Sequence, residues 1–342
     1  DLYKVSTNTH EISKNVNIYR VPLSKHNSGV YDQIISFWTF ARYVLFKVNN
    51  QDYNLIFATS SRLMTAFLGA LISKKFKIPL YLDIRDLFSD SISDIYSNKI
   101  PRSFLLIIKF IERWTFKTAK SVNLVSEGFI EDAKRISKNT KYTFFTNGID
   151  DIFLNKDYKN KLTISLPITI LYAGNIGEGQ GLHRILPGFA KAIQGRGIIK
   201  VVGSGGLKEK LEEQLIKQNI TNVELIDPVS RKDLFSFYSE ADVLFLHLND
   251  FDAFKKVLPS KFFEYAATEK YILAGVSGYA DTFFNESIEG VKTFKPCDVR
   301  GALHALNSFN FNKIDIDRSK FCKKYARSSI MKRMSDDIFQ NC

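Results

Sequence analysis

Cysteine is scarce in this chain of 342 residues, where Cys297, Cys322 and Cys342 are the only three and all lie late in the sequence. None of them has the C-x-x-C spacing of a structural zinc site, and so few thiols indicate a reducing compartment. Long apolar runs are lacking too. The longest, at 65–72 and 104–108, fall far short of the roughly 20 residues that a membrane-spanning helix needs. The composition therefore predicts a cytoplasmic protein that does not span a membrane.

Acidic residues are outnumbered, because 48 lysines and arginines face 36 aspartates and glutamates, which gives a net charge of +12. Such an excess suggests an acidic partner: nucleic acid, an anionic membrane surface or a phosphorylated ligand. Nucleic acid is not indicated, since the sequence contains no helix-turn-helix, zinc or aromatic RNA-binding motif. The five histidines show no metal-ligand spacing, and we expect neither a metal nor a cofactor. At roughly 150 residues per domain, the length predicts about two domains.

Short runs rich in β-branched residues alternate with longer segments of helical periodicity, which predicts an α/β fold of parallel sheets with crossover helices. A polar stretch at 150–162, after the Asn147-Gly148 turn, is typical of an interdomain linker. We therefore predict two Rossmann-like lobes that face each other across a cleft. The expected ranges are 1–155 and 156–317, followed by a C-terminal helix at 318–342 that packs back on the first lobe. The expected strands are 2–6, 15–21, 54–58, 79–83, 121–125, 142–146, 168–173, 197–202, 222–225, 243–248 and 271–274.

Glycines cluster after one of these strands, in the segment GNIGEGQG at 174–181. Glycines at such close spacing let backbone N–H groups approach an oxyanion, and the dipole of the helix that follows favours negative charge. The spacing matches neither G-x-x-x-x-G-K-[ST] nor G-x-G-x-x-G, so neither a P-loop nor a typical dinucleotide site is predicted. A glycine-rich turn without a ligand is the alternative interpretation. The residues expected to line a phosphate cradle here are Gly174, Asn175, Ile176 and Gly177.

Two further segments of the same lobe point to the same chemistry. The turn VVGSGG ends another strand, where Gly203 and Gly205 keep the floor of the cleft open to a ligand. In LPSKFFEYA, Ser260 is the expected helix N-cap, and Lys261 in the first turn opposes the helix dipole unless an anion binds there. Glu264 lies on the same helix face and can accept hydrogen bonds from two vicinal hydroxyl groups, such as those of a ribose. Taken singly, these residues are equally well explained by a tight turn and by solvated side chains.

These segments resemble the C-terminal lobe of family 4 glycosyltransferases with the GT-B fold. The likeness is strongest to a bacterial branch that includes O-antigen and capsule enzymes such as N-acetyl-L-fucosamine transferases. The matching segments of the second lobe are YAGNIG at 172–177, VVGSGG at 201–206, the stretch from NVELIDP to FLHL at 222–248, and LPSKFFEYAA at 258–267. Those of the first lobe are LYLDIRDLFSDSI at 80–92, LVSEGF at 124–129 and FTNGID at 145–150.

The resemblance implies an enzyme that binds a nucleotide diphosphate sugar, a UDP- or GDP-sugar, in the C-terminal lobe. Backbone at 174–177 with Asn175 and Lys261 would hold the diphosphate. Glu264 would bind the ribose, and Val229 would flank the base. Enzymes of this kind mostly transfer the sugar with retention, and the donor's own phosphate oxygen is often taken as the base. The likeness favours a lipid-linked glycan of a surface polysaccharide as the acceptor.

The chain departs from the family pattern at several positions. Lys256 stands eight residues before Glu264, where relatives often have an acid. Asn175 and Gln180 replace an arginine and a lysine of the first loop, so Lys261 and Lys256 are the candidates to supply that charge. These departures leave open a catalytically inactive GT-B protein that binds a sugar nucleotide or serves as a scaffold. The chain also opens on what resembles the second strand of such a lobe, so we expect the first strand and glycine-rich loop to be missing.

On the acceptor side, Asp86 follows the strand at 79–83 and is the candidate catalytic residue, because its carboxylate could approach an acceptor hydroxyl. An ion pair or a cap with Arg85 is the alternative.

A basic, aromatic helix indicates where a lipid-linked acceptor would be met. Its basic residues fall within about 80° of one another on a helical wheel, and they are Arg102, Lys109, Arg113 and Lys117. Such a helix suits an anionic membrane surface, and the aromatic segment at 33–48 is a second candidate. An outer helix with a solvated basic face is the alternative.

Overall fold

The computed structural model describes residues 9–23, 30–49, 52–60, 62–87, 102–154, 158, 166–311 and 316–341. Two parallel sheets, of four and six strands, confirm the α/β fold predicted from the sequence. A two-stranded hairpin forms a third, separate sheet. The expected strand at 2–6 lies outside the described residues.

The hairpin consists of β1 (His10–Ser13) and β2 (Val16–Tyr19), which pair antiparallel. The segment expected as a strand at 15–21 therefore does form one, but it does not join a parallel sheet. Only two residues connect β1 to β2, and Lys14 among them has a left-handed φ of 54°. So short a connection closes an antiparallel hairpin, whereas parallel strands need a crossover of a dozen residues or more.

The four-stranded sheet holds its strands in the order in which the chain makes them. They are β3 (Ile56–Ser60), β4 (Leu80–Ile84), β5 (Ser121–Leu124) and β6 (Lys141–Thr143). The helices that lie between successive strands are α2 (Leu63–Phe76), α3 (Arg102–Thr118) and α4 (Ile130–Ile136), and α1 (Val30–Val48) precedes the sheet. Because crossover connections are right-handed, α2, α3 and α4 cover the same side of the sheet. The central strands β4 and β5 are fully buried.

The six-stranded sheet has the order β12-β11-β10-β7-β8-β9. Its strands are β7 (Ile168–Ala173), β8 (Gly197–Val202), β9 (Val223–Ile226), β10 (Val243–His247), β11 (Tyr271–Gly275) and β12 (Val291–Phe294). The chain moves outward from β7 to β9 and then returns to place β10 on the other side of β7. Strands β7 and β10 therefore flank a topological switch point, and ligands of such sheets bind in the crevice outside the carboxyl ends there.

Helices cover both faces of the six-stranded sheet and complete the chain. They are α5 (Asp151–Leu154), α6 (Leu182–Ala192), α7 (Lys208–Lys217), α8 (Arg231–Glu240), α9 (Ser260–Ala266), α10 (Tyr279–Ser287), α11 (Val299–Asn307), α12 (Ser319–Tyr325) and α13 (Arg327–Asn341). Their apolar sides form two large clusters of buried residues, one on each face of the sheet.

The C-terminal helices are tied to the segment that follows β6. Ile149 forms an isolated parallel bridge with Ala326, and its N–H donates to the carbonyl oxygen of Tyr325 at 2.8 Å. The N–H of Arg327 donates to the carbonyl oxygen of Ile149 at 2.8 Å, and its guanidinium pairs with Asp150. The division of the chain at 155 and 317 stays a prediction.

Candidate functional site

The candidate site lies at the switch point between β7 and β10. The segment 174–181 leaves the carboxyl end of β7, and the segment 248–251 leaves the carboxyl end of β10. The loop after β8 adjoins the first of these segments. The tyrosine hydroxyl of Tyr265 on α9 accepts a hydrogen bond from the N–H of Ala173 at 3.0 Å, which fixes that helix against the end of β7.

The two glycine-rich loops bond to each other. The N–H of Gly174 donates to the carbonyl oxygen of Val202 at 3.0 Å, and the N–H of Ile176 donates to that of Ser204 at 2.8 Å. These two N–H groups are therefore used inside the protein and are not available to a phosphate. In the described part of the chain, the N–H groups of Asn175 and Gly177 donate to no backbone carbonyl. Of the four residues expected to line the phosphate cradle, the prediction is therefore restricted to these two.

Gly203 and Gly205 lie where the second loop crosses the first. A Cβ atom at Gly203 would overlap the carbonyl oxygen of Gly174, and one at Gly205 would press on the carbonyl oxygen of Ile176. Both glycines also have positive φ, at 156° and 157°. Their common role in the structure is this close approach of the two backbones, and a role in keeping the cleft open to a ligand stays a prediction.

Asn175 and Gln180, which stand where the resemblance implies two loop cations, bond to each other. The side-chain Nδ2 of Asn175 donates to Oε1 of Gln180 at 2.9 Å, and the hydroxyl of Tyr172 donates to the carbonyl oxygen of Asn175 at 2.5 Å. A neutral pair of amide side chains is thus found where the resemblance implies an arginine and a lysine. The loop itself brings no cation to a diphosphate.

His247, at the end of β10, forms a hydrogen bond with the first glycine-rich loop. Its Nδ1 donates to the carbonyl oxygen of Gln180 at 2.6 Å, and its Nε2 accepts from the N–H of Cys297 at 2.9 Å. These two bonds require the neutral tautomer with the proton on Nδ1. Burial lowers the pKa of His247 to about 4, so the ring is neutral near pH 7.

Asn249, two residues later, is a second clamp on the same loop. Its Nδ2 donates to the carbonyl oxygen of Glu178 at 2.9 Å, and its own N–H donates to that of Gly179 at 2.8 Å. Its Oδ1 accepts from Nη1 of Arg184 at 2.6 Å. Neither His247 nor Asn249 was expected as a site residue. The signal that could have identified them is a pair of polar side chains at the carboxyl end of a fully buried strand.

His183, in the first turn of α6, is buried and does not join these clamps. Burial lowers the pKa of His183, and in the described part of the chain its Nδ1 has no hydrogen-bond partner.

Lys261, Glu264 and Tyr238 form a compact polar cluster on α9 and α8. The Nζ of Lys261 lies 2.7 Å from Oε2 of Glu264, and the hydroxyl of Tyr238 donates to the same oxygen at 3.2 Å. Both charged side chains keep part of their surface in solvent, 29% and 19%. Burial first, then the charges of Tyr265 and Glu264, raise the pKa of Tyr238 well above its ordinary value, so its hydroxyl remains a donor.

The expectation that Ser260 caps α9 is wrong. The N-cap residue is Pro259, whose backbone is extended at ψ 127° and which makes no side-chain cap bond, and Ser260 is already the first helical residue. The fixed φ of proline, −63° here, suits the residue at which an extended segment turns into the helix. The position of Lys261 in the first turn is unchanged by this correction.

Val229 lies in the loop between β9 and α8, half-buried against the apolar cluster on one face of the sheet. The hydroxyl of Ser230, which follows it, caps α8 by accepting from the N–H of Asp233 at 3.2 Å. Asp227 pairs with Lys208 at 2.5 Å on the other side of the loop. The loop is therefore anchored at both ends, while the role of Val229 beside a base stays a prediction.

Lys256 contacts the first half of the chain. Its Nζ lies 2.6 Å from Oδ2 of Asp132 on α4, and its carbonyl oxygen accepts from the hydroxyl of Ser126 at 2.5 Å. The side chain at the position of the family's acid therefore links the two halves, and its charge is already paired with Asp132.

A polar network lies at the carboxyl ends of β3, β4 and β5. Asp83, only 3% exposed, accepts from the hydroxyl of Thr59 and from Nδ2 of Asn123, each at 2.7 Å. Arg85 pairs with Asp83 at 3.3 Å, and Asp86 is half-buried just beyond it. The catalytic role of Asp86 stays a prediction.

Solved structures similar to this chain are glycosyltransferases. Sucrose-phosphate synthase from Thermosynechococcus elongatus superposes with a TM-score of 0.76 at 14% identity, over 98% of this chain and 86% of that one. HepE of Anabaena in complex with UDP gives a TM-score of 0.66 at 14% identity, over 92% and 85%. The lipopolysaccharide outer core galactosyltransferase WaaB gives 0.64 at 10% identity, over 92% and 83%.

At these identities the likeness shows the fold: the chain has the GT-B fold that its motifs resemble. No protein-family model and no curated protein sequence matches the chain. None of the helices in the described ranges is both long and apolar enough to cross a membrane.

Proposed function

We propose that the protein is a glycosyltransferase of family 4 that moves a sugar from a UDP- or GDP-sugar to a lipid-linked glycan. The acceptor belongs to the biosynthesis of a surface polysaccharide, as in the O-antigen and capsule branch, and the reaction retains the anomeric configuration at the inner face of the cytoplasmic membrane. The observation that carries this proposal is the cluster of Lys261, Glu264 and Tyr238, formed with the helix α9 whose Tyr265 bonds to the end of β7.

In this proposal the donor separates the Lys261–Glu264 pair. The ammonium group of Lys261 turns to the diphosphate, and the carboxylate of Glu264 accepts hydrogen bonds from the ribose hydroxyls. Tyr238 keeps its hydrogen bond to the carboxylate and so holds Glu264 in place. Each charge exchanges one partner for another, so neither is left unpaired when the donor binds. Solved structures of HepE hold UDP, UDP with glucose, and UDP-glucose, which supports a nucleotide sugar as the donor.

The chemical step breaks the bond between the sugar and the diphosphate, and negative charge grows on the departing phosphate oxygen. Lys261 is the residue placed to stabilise that charge. The acceptor hydroxyl must lose a proton as the new bond forms. The donor's phosphate oxygen, or Asp86 just after β4 of the first sheet, is the proposed base.

One pair of observations favours a second candidate, an inactive GT-B protein that binds a sugar nucleotide or serves as a scaffold. The loop has a neutral amide pair, Asn175 with Gln180, where relatives have cations. Lys256 replaces an acid and is occupied by Asp132. A protein of this kind would bind the donor without consuming it.

The experiment that separates the two uses a screen of nucleotide sugars by thermal shift, followed by turnover of the radiolabelled hit. Transfer of label to a lipid-linked acceptor supports the enzyme. Stable binding of the intact donor, with no transfer to any acceptor tried and no hydrolysis, contradicts the enzyme and supports the binding protein. Absence of binding by every nucleotide sugar contradicts the enzyme and the sugar-nucleotide-binding protein, and leaves only the scaffold.

A further inference from the structure

Three neighbouring helices expose apolar side chains on the outer side of the four-stranded sheet. Trp38 on α1 is 63% exposed and Phe110 on α3 is 70% exposed. Ile216 on α7, outside these three helices, is exposed to the same extent. Exposed apolar residues are normal when single, whereas a contiguous group marks an interaction surface. The members are Ile35, Trp38 and Phe46 on α1, Met64 and Leu71 on α2, and Leu106, Ile107 and Phe110 on α3.

The three helices form one layer. Helix α2 lies between the other two, because its buried residues Leu68 and Ile72 pack with Ala41 of α1 on one side, and Phe67 meets Trp114 of α3 at 5.3 Å on the other. Their inner residues face the sheet, so the exposed side chains of all three point to the same outer surface. We call this surface the α1–α3 face.

The charge of the α1–α3 face has one sign. The three helices contain eight basic and two acidic residues. Of the acids, Glu112 is 1% exposed and turned inward, and Asp32 is half-buried in the first turn of α1. The exposed basic residues are Arg42, Lys74, Lys75, Lys109, Arg113 and Lys117.

We propose that the α1–α3 face docks on an anionic lipid membrane. An interfacial helix requires large apolar side chains to enter the headgroup region and lysine or arginine beside them to meet lipid phosphates. Both are present on α3, where Phe110 and Leu106 lie among Lys109, Arg113 and Lys117. A second copy of the chain is disfavoured as the occupant, since two faces of the same positive sign would repel each other.

This inference deepens the proposed function, because a membrane-docked protein would meet a lipid-linked acceptor at the bilayer surface. It does not require catalysis, however, and is tested by binding alone. The whole chain is sedimented with vesicles of phosphatidylglycerol and phosphatidylethanolamine, and with vesicles of phosphatidylcholine only. We expect binding to the anionic vesicles that weakens as salt is raised, and much weaker binding to the neutral ones.

Two variants probe the face. Trp38→Ser with Phe110→Ser removes apolar anchors, and Lys109→Glu with Lys117→Glu reverses two charges while sparing Arg113, whose Nε bonds to the carbonyl oxygen of Ile136. Since each basic residue near such a surface is worth about 1 kcal/mol, we expect the charge reversal to lower the partition constant about tenfold or more. Loss of the two aromatic anchors should lower it as well, because less apolar surface is buried in the headgroup region.

Ile216→Ser and Lys217→Glu on α7 are the matched controls, because both residues are exposed and lie outside the face. They should leave vesicle binding unchanged. Equal vesicle binding by the parent and the face variants overturns the proposal. A dimer in solution that Phe110→Ser dissociates also overturns it, because the α1–α3 face would then bind a second copy of the chain. Affinity for UDP, measured on every variant, should not change. A protein that binds vesicles yet transfers no sugar would contradict the proposed function and leave the α1–α3 face intact.

Discussion

The Nζ of Lys261 lies 2.7 Å from Oε2 of Glu264, one turn further along α9, so the two charges of the candidate site neutralise each other. Both side chains keep some contact with solvent, and the hydroxyl of Tyr238 holds the carboxylate from the other side. A cation and a carboxylate placed in this way match the diphosphate and the ribose hydroxyls of a nucleoside diphosphate. In the unliganded protein, the ion pair keeps both side chains charged at little electrostatic cost.

Removing either charge of this pair should weaken nucleotide binding. Lys261→Met removes the cation for the diphosphate, and Glu264→Gln removes the charged acceptor for the ribose hydroxyls. A hydrogen bond to a charged group is worth roughly 1.5–3 kcal/mol, so each variant should bind UDP or GDP about tenfold to a hundredfold more weakly in isothermal titration calorimetry.

The matched control is the ion pair of Lys200 with Glu240, at 3.1 Å in the same half of the chain. Lys200→Met and Glu240→Gln should leave nucleotide affinity unchanged. If the Lys261 and Glu264 variants bind nucleotide as well as the parent, the site is elsewhere.

Stability should fall with acid because of His247. Its pKa is about 4 in the folded protein and 6.5 when exposed, since the buried ring resists charging. Between these two values the unfolded chain takes up a proton that the folded chain does not. The free energy of unfolding therefore decreases as pH falls from about 6.5 to 4, by roughly 3 kcal/mol in total.

Urea unfolding of the parent and of His247→Gln at several pH values checks this slope. The variant should be less stable near pH 7 but should lose less stability on acidification than the parent does. His304→Gln, at an exposed histidine, should keep the parent's slope. Parallel pH profiles for the parent and His247→Gln would exclude His247 as the cause.

The sequence predicted the strands of both sheets well where runs such as 168–173 and 243–248 are short and mostly apolar. It also placed the two glycine loops after strands of the same lobe as the helix of Lys261, because these positions follow from the alternation of strands and helices. It could not show which N–H groups of the first loop are already used. That outcome depends on the crossing of Gly174 and Ile176 with a loop almost 30 residues away in sequence, which no local pattern encodes.

Two other results also depend on tertiary contacts. Lys256 was a candidate for the missing charge at the donor, yet the fold places Asp132 beside it. Ser260 has the side chain of a good N-cap, yet the helix begins one residue earlier than that role requires, because Pro259 occupies the cap. Local propensity predicted α9 and its first turn. Tertiary packing determines which residue pairs with Lys256 and which residue caps α9.

The crossing of the two loops should tolerate no side chain at Gly203. In Gly203→Ala the new Cβ would overlap the carbonyl oxygen of Gly174, so one backbone must move. We expect a loss of roughly 1–3 kcal/mol in the free energy of unfolding, measured in urea. Nucleotide affinity should also fall, since the displaced loop carries Asn175 and Gly177. Gly206→Ala is the control, because nothing lies within 4 Å of its Cβ position. A Gly203→Ala protein as stable as the parent would contradict the crossing.

The contact between Lys256 and Asp132 should couple the two halves of the chain. Both side chains are only partly exposed, 31% and 14%, so a double-mutant cycle of Lys256→Met and Asp132→Asn should give a coupling free energy of about 1 kcal/mol in thermal or urea unfolding. The exposed pair of Lys255 with Asp252, in the short 3₁₀ helix Asp252–Lys256, should show a smaller coupling. Because Lys256 stands just before α9, the swap of Lys256→Asp with Asp132→Lys should restore stability and nucleotide affinity together in an Arg135→Gln background, which is needed because Asp132 also pairs with Arg135 at 2.9 Å. Restoration of stability without affinity would mean that this contact holds the halves but does not position α9.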